Sequence, residues 1–281
     1  GRHCFTPGCD YHVNGETGEE LQVTTPSNLQ LGGVVASIHD RKLSLNTVKK
    51  YQVSVDYAPD GKIAKHFYPY HDVNTGEIVA TKCRIVNTKD FLCTGNMTNV
   101  GLFGQRQCRG RGKYITITEG EVDAMSVYEM FGQKWDVVSL RAGASSAAKE
   151  IKAQLEWLEG YENVVICFDQ DKAGELATDQ IKDLFSPNKL KICKLPLKDA
   201  SEMLIANRVQ EFTQAWWDSK VYRPDGIVAG SDTWDALVNK RQIQSVPYPW
   251  EGLNDVTRGH RPYELVTITS GSGMGKSQFI R

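Results

Sequence analysis

At 281 residues the chain exceeds one average domain, so two or more are expected. Its 24% charged and 40% hydrophobic residues are those of an ordinary globular protein, and no apolar run is long enough to span a membrane. A formal net charge of −1 does not announce a nucleic-acid partner, so any such site must be a local basic patch.

The chain opens on Gly rather than Met, shows no signal-like segment and stops inside a motif described below, so a fragment cut at both ends is expected. Residues 1–32 read as irregular and polar, with Cys4 and Cys9 in HCFTPGC. From Ser44, SLNTVKKYQV predicts a short capped helix. KIAKHFYPYHD and TGEIVATKCRI predict two strands joined by a turn around Asn74–Gly76. The stretch 81–113 is basic (Lys82, Arg84, Lys89, Arg106, Arg109, Arg111 and Lys113), so residues 33–112 form a candidate α+β domain with a basic face.

From Tyr114 the pattern becomes strand–helix alternation. YITIT, WDVVSL, NVVICFD and KLKICKLP predict strands. Helices are expected over about 121–132, from the RAGASS loop to about 158, over DKAGELATDQIKDLF, and over ASEMLIANRVQEFTQAWWDS. Apolar strands separated by helices imply an α/β fold with a parallel sheet covered on both faces. RPDGIVAGSD (223–232) reads as a linker, TWDALVNK as a short helix, and ELVTITSGSGMGKSQ as the start of a further unit. The seven cysteines are odd in number and scattered, which suggests a reducing compartment; Cys167 and Cys193 sit in strand-like runs as small hydrophobes.

Three acidic clusters close β-rich runs: Glu119, Glu121 and Asp123; Asp169 and Asp171; Asp199 and Glu202. Carboxylates at the carboxyl ends of parallel strands make an oxygen-rich pocket suited to Mg²⁺, at the edge where open α/β sheets bind ligands. The plainer reading is helix N-caps and first-turn partners of the helix dipole. Three such turns on one inferred sheet favour metal chemistry. Cys4 and Cys9 enclose four residues, and tetrahedral zinc needs two more ligands, for which His3 and His12 are the nearby candidates at unusual spacing. SGSGMGKS (270–277) has the P-loop pattern, with Ser270 where a Gly is usual, and ELVTIT supplies the strand context. There the backbone N–H groups from Gly273 through Gly275 to Ser277 would cradle phosphates, Lys276 would reach the outer phosphates, and Ser277 would hold Mg²⁺. Trp216, Trp217 and Trp234 read as packing residues.

TEGEVDAM, FDQDKAG and LKDASE resemble the TOPRIM motifs of primases, topoisomerases and some nucleases. With LFGQ (102–105), VVSLRAGASSAAK (137–149), YRPDGIV (222–228) and TSGSGMGKS (269–277), the chain resembles the bifunctional primase–helicases of T-odd short-tailed coliphages, and more distantly the mitochondrial Twinkle helicase. The resemblance implies a TOPRIM sheet preceded by a basic subdomain and followed by a linker and the first strand and P-loop of a RecA-like domain. The expected boundaries are 1–32 (zinc-domain remnant), 33–112 (basic RNA-polymerase subdomain), 113–222 (TOPRIM), 223–250 (linker with docking helix) and 251–281 (helicase start).

The resemblance also implies roles. Glu119 is the catalytic acid or base, supported by Asp123; Asp169 and Asp171 join Glu119 as ligands of Mg²⁺ or Mn²⁺; Asp199 is a further acid. Lys82 and Arg84 fall on a stretch that contacts nucleotide or template. Arg141 and Gly143 lie in RAGAS, where the family has Gly-His-Gly-Ala-Ser, in a loop that approaches a nucleotide phosphate. Cys4 and Cys9 fall where half of a four-Cys zinc ribbon stands. The implied function is synthesis of short RNA primers from ribonucleoside triphosphates on a single-stranded DNA template. The full-length protein would add NTP-driven unwinding as a hexameric ring and work with a replicative DNA polymerase, in the cytoplasm of an infected bacterium, away from membranes. The alternatives are a non-synthesising, Twinkle-like module supporting a helicase ring, with a mitochondrial location, or another TOPRIM nuclease.

Overall fold

The computed structural model describes residues 2–3, 12–13, 32–223, 230, 233, 234, 238 and 244–279. The chain divides into two compact units, Gly1–Asp225 and Gly226–Arg281. Among the described residues no helix is long and apolar enough to cross a membrane.

In the first unit, β1 (Arg2–His3) pairs antiparallel with β2 (His12–Val13). Cys4 and Cys9, and with them the expected zinc remnant, lie outside the described residues. Helix α1 (Leu45–Lys50) begins where the Ser44 hydroxyl accepts the Thr47 N–H, satisfying one of the donors a helix start leaves free. Strands β3 (Ser54–Tyr57), β4 (Ile63–His71), β5 (Ile78–Ile85) and β6 (Phe91–Gly95) form an antiparallel sheet in that order. The sequence predicts β4 and β5 and misses β3 and β6. These two are short edge strands, and cross-strand neighbours rather than intrinsic propensity decide such elements.

The chain then alternates β7 (Gly112–Thr118), α2 (Glu121–Met130), β8 (Asp136–Ser139), α3 (Ala147–Ala153), α4 (Leu155–Glu159), β9 (Tyr161–Cys167), α5 (Lys172–Ile181), β10 (Leu190–Ile192), α6 (Ala200–Ile205), α7 (Val209–Trp217) and β11 (Lys220–Val221). The five strands lie in the order β11-β10-β9-β7-β8, all parallel except the antiparallel edge strand β11. Two predicted helices are broken. The helix running to 158 ends one segment and starts another at Gln154, whose φ of −113° and ψ of 14° are not helical. The long helix after Asp199 stops at Ile205, because Asn207 takes a left-handed φ of 57°, a common helix terminator.

Two cores flank the parallel sheet. Ile115, Ile117, Val138, Leu140, Val164 and Ile166 point from its strands towards Ile151, Leu158, Ala177 and Ile181 of α3–α5. On the other face, Met125, Val137, Val165, Met203 and Trp216 form one continuous core with Tyr51, Tyr68, Tyr70 and Phe103 of the antiparallel part. The two parts are stitched by the Tyr51 hydroxyl, which donates to the Val137 carbonyl at 2.9 Å, and by reciprocal backbone bonds between Phe103 and Ser139 at 3.0 and 3.1 Å. Each fully buried aromatic or branched side chain contributes roughly 1.5–3 kcal/mol. The buried Trp216 also donates its indole N–H to Thr116 Oγ1 at 3.0 Å. Trp217 is half exposed, packed edge-on to Trp216 and Tyr114, whereas Trp234 is 66% exposed and does not pack as expected.

The second unit contains α8 (Glu251–Thr257) and α9 (Lys276–Phe279). Of the expected docking helix TWDALVNK, residues 233, 234 and 238 are helical and the rest lies outside the described residues. ELVTIT is not a strand: Leu265 is 94% exposed, and the segment has no ladder partner among the described residues. A strand exists only through pairing with a neighbour, and among the described residues none stands beside this one. The P-loop segment turns through Gly273 (φ 79°) and Gly275 (φ 83°) into α9, and Lys276 Nζ donates to the Ser270 and Gly271 carbonyls at 3.0 Å each.

Candidate active site

The chain order of the parallel sheet places its switch point at β7 and β9. β7 connects through α2 to β8 on one side, and β9 lies on the other side of β7. Helix α2 packs on one face and α3–α5 on the other, so a crevice opens beyond the carboxyl ends of β7 and β9. Glu119 follows β7 directly and Asp169 follows β9 by one residue. Asp199, beyond neighbouring β10, caps α6, its carboxylate accepting the Glu202 N–H at 2.7 Å. Asp171 caps α5, accepting N–H groups from Ala173 and Gly174 at 3.0 Å each. Asp123 accepts the Ser201 N–H at 3.0 Å and so ties α2 to the start of α6. Thus Asp171 and Asp199 are indeed N-caps, yet the caps belong to helices that start at one crevice.

The electrostatics record that crowding. Burial pushes Asp123 up to about 8, with the charges of Asp199 and Asp169 adding to the effect. Burial also lifts Asp169 to about 6, reinforced by Glu119 and Asp199 and opposed by Lys198. Glu119 is raised by burial, against an N–H from Ala144 at 3.2 Å, and its second oxygen is buried with no hydrogen-bond partner. These are acids held short of counter-charge. Among the described residues the cation paired with these acids is Lys198, 3.6 Å from Asp169. Gly174 makes the arrangement possible: an ideal Cβ there would lie 2.1 Å from the Asp169 carbonyl oxygen. Only glycine lets α5 start so close to the strand end.

The donor set fits a hard divalent cation. It offers carboxylate oxygens, raised affinities for positive charge and one orphaned buried oxygen on Glu119. Glu119, Asp169 and Asp171 would hold it, although among the described residues no three His, Cys, Asp or Glu side chains are already gathered around a common metal position.

The basic residues divide. Lys82 and Arg84 alternate on one face of β5, on the side of the parallel domain. Lys82 donates to the buried Glu121 and to the Arg141 carbonyl, both at 2.7 Å, and lies 4.4 Å from the Phe91 ring centroid. The Tyr70 hydroxyl completes the Glu121 cluster at 2.7 Å. Arg84 stands 5.8 Å from the same Phe91 ring. Arg141 is held by Glu150 at 3.5 Å and the Met97 carbonyl at 3.1 Å. Gly143, at φ 75°, lies where an ideal Cβ would sit 3.5 Å from Glu119 Oε1, so its loop buttresses Glu119. The expectation of one basic face beside the acids fails for Arg106, Arg109, Arg111 and Lys113. They precede or begin β7, whose seven residues span about 20 Å. They therefore emerge at the opposite edge of the sheet.

Sequence reading passed over two supporting residues, Glu150 and Lys198, and gave a third, Glu121, another role. Glu150 is buried and accepts the Arg141 and Ala142 N–H groups at 2.7 and 3.1 Å and the Ser146 hydroxyl at 2.6 Å. Glu121 was read as one more acid of the cluster and is instead the buried partner of Lys82. Lys198 adjoins Asp199 in LKDASE, a charge visible in sequence but without a stated role.

Residues 116–204 match the Toprim-like family model Toprim_2. A DNA helicase/primase of Enterobacteria phage T3 is 37% identical over 216 residues, covering 75% of this chain and 38% of that protein. The primase fragment of the bacteriophage T7 primase-helicase matches with a TM-score of 0.60 and 30% identity, over 69% of this chain and 81% of that one. A further match, at TM-score 0.60 and 31% identity, covers 93% of a chain from a T7 structure. In it, lagging-strand DNA polymerase interacts with primase domains of two gp4 subunits bound to an RNA/DNA hybrid and dTTP.

The chain belongs to the phage primase–helicase family.

Its fold is α/β with a Toprim domain, and it matches the primase domain of that family. The DnaG catalytic core shares the fold at TM-score 0.50 and 15% identity. The chain spans 38% of the length of the T3 phage helicase/primase.

Proposed function

We propose that this chain is the priming part of a phage replicative primase–helicase, which joins ribonucleoside triphosphates into short RNA on single-stranded DNA. The observation that carries the reading is the convergence of Glu119, Asp123, Asp169 and Asp199 at the switch point of a Toprim sheet, with Asp169 and Asp123 raised to about 6 and about 8. Mg²⁺ or Mn²⁺, when bound, would neutralise the triphosphate and favour the primer 3′-hydroxylate. Asp169 and Asp171, on the short turn between β9 and α5, would supply ligand oxygens, and Gly174 fixes the spacing of that turn. Glu119, braced by the Ala144 N–H, would complete the ligand set and accept the hydroxyl proton. Asp199 adds negative charge behind it, and Asp123 ties α2 to the start of α6. Arg84, hydrogen-bonded to Tyr68 and 5.8 Å from the Phe91 ring, is a basic side chain on this side that would meet a template or triphosphate phosphate. Lys82 acts by holding Glu121 and the RAGAS loop in place.

In the longer protein the same reading adds a zinc-bearing segment that includes Cys4 and Cys9, and a helicase beginning at the P-loop (Gly273, Gly275, Lys276 and Ser277). It also adds ring assembly, cooperation with a replicative DNA polymerase, and work in the cytoplasm of an infected bacterium. The T3 and T7 relatives are phage proteins, and nothing supports the mitochondrial alternative.

The test is extension of a labelled dinucleotide on single-stranded DNA with Mg²⁺ and four ribonucleotides, beside a protein carrying Asp169→Ala and Asp171→Ala. Extension by the native chain alone is expected. Failure of both, with DNA binding intact, would move the reading to a ring-supporting module, and nicking of labelled DNA would move it to a nuclease.

A further inference from the structure

The edge of the parallel sheet opposite the carboxylates holds a cavity of about 190 Å³, walled in part by Val73, Leu102, Arg106, Arg109 and Trp157. Arg106 is exposed and lies against the turn at Gly76, where an ideal Cβ would come within 2.7 Å of its Nε. It makes no hydrogen bond or ion pair with any described residue. Arg109 is loosely held: its side chain is 73% exposed and 3.8 Å from Asp136, a carboxylate that already accepts the Tyr161 hydroxyl at 2.9 Å and the Arg109 N–H at 3.1 Å. The Trp157 indole N–H likewise donates to no described residue.

Two cavity groups of opposite or variable charge are already committed. Asp72 accepts N–H groups from Asn74 and Thr75 at 2.8 and 3.0 Å and the Asn99 amide at 2.9 Å. His71 is bonded to Gln52 at 2.9 Å, and burial, then the charge of Arg106, lower its affinity for a proton. Arg106 and the Trp157 indole N–H, both without a partner among the described residues, and the weakly paired Arg109 therefore line a recess that also carries the apolar side chains of Val73 and Leu102. Arg111 and Lys113, both exposed, extend the positive strip along the chain.

We propose that this recess is a second anion site that takes a nucleotide phosphate, with the sugar or base against Trp157, Val73 and Leu102. Planar guanidinium groups suit phosphate oxygens, and an indole face suits the attached ring. The phosphate belongs either to the backbone of a single-stranded nucleic acid or to a free nucleoside triphosphate. The site is distinct from the carboxylate crevice, because β7 separates the two by about 20 Å, and it does not depend on the chemistry performed there.

The experiment measures binding of labelled oligo(dT) by anisotropy and of ATP by calorimetry, in EDTA, where the metal-free carboxylates repel both ligands. Native protein is compared with Arg106→Glu, Arg106→Ala and Trp157→Phe. Arg106→Glu is expected to weaken binding about tenfold and to lower the log–log salt slope by about one, as for the loss of one phosphate contact. Arg106→Ala and Trp157→Phe should show smaller losses. A loss confined to oligo(dT) assigns the site to a strand, and a loss confined to ATP assigns it to a free nucleotide. Native affinity and salt slope in Arg106→Glu for both ligands would overturn the proposal. The exposure of Arg106 keeps the variant foldable, which its melting temperature would verify.

Discussion

Lys82 shows how a residue's partners decide its role. A lysine on a basic strand reads as a phosphate contact, yet here it neutralises Glu121, a carboxylate that is 4% exposed and also bonded to Tyr70. Removing one member of a buried pair leaves an unpaired charge, so Lys82→Ala is expected to cost about 3–5 kcal/mol, read by chemical denaturation. The double change Lys82→Met, Glu121→Gln should recover most of that loss. If Lys82→Ala instead left stability unchanged while weakening nucleotide binding, the direct-contact reading would hold. Gly174 is the second such residue. Its Cβ would overlap the Asp169 carbonyl, so Gly174→Ala must shift the turn that carries Asp169 and Asp171, at a cost of about 1–3 kcal/mol. Calorimetric titration should show weakened Mg²⁺ or Mn²⁺ binding in a protein that still folds.

At the scale of elements, the RAGAS loop and α3 act as one piece. Glu150 reaches back from α3 to two loop N–H groups, the Ser146 hydroxyl and the Arg141 guanidinium, while the loop's Ala144 N–H braces Glu119. Glu150→Ala should therefore cost about 3 kcal/mol or more through its orphaned partners. It should also lower primer extension beyond what the lost stability explains, since Glu119 loses its brace. Glu150→Gln keeps part of the clamp and should fall between. Comparing extension of both variants well below their melting temperatures separates the two effects.

At the scale of the whole molecule, folding draws together acids that repel. Asp123 has an ordinary value of 3.8 in an unfolded chain and about 8 when folded, so the folded state binds its proton more tightly. The resulting stability is complete below pH 4 and is lost as pH rises through about 8. Asn imitates the protonated form. In metal-free melts Asp123→Asn should match the native protein near pH 4 and become progressively more stable than it as pH rises to 8 and above. An unchanged difference across that range would show that Asp123 is not the crowded acid described.

The acids were legible because strand-ending motifs such as TEGEVDAM and FDQDKAG carry their chemistry in local order. The strong 2.0-residue and buried-strand patterns around them likewise marked β4, β5, β7, β8 and β9. The edge strands β3 and β6, the helix breaks at Gln154 and Asn207, and the missing ladder at ELVTIT were not legible, because each depends on which neighbour is present rather than on local propensity. By itself the sequence determined the alternating parallel sheet, the three acidic turns and the family they resemble. Only the tertiary structure decided which charges meet. Strand order brings Glu119, Asp169 and Asp199 to one edge; the length of β7 sends Arg106 and Arg109 to the other; and the packing of two sheets on one core turns Lys82 inward to Glu121. Those distances run across the chain, between residues such as 82 and 121 or 119 and 144, and no local pattern encodes them.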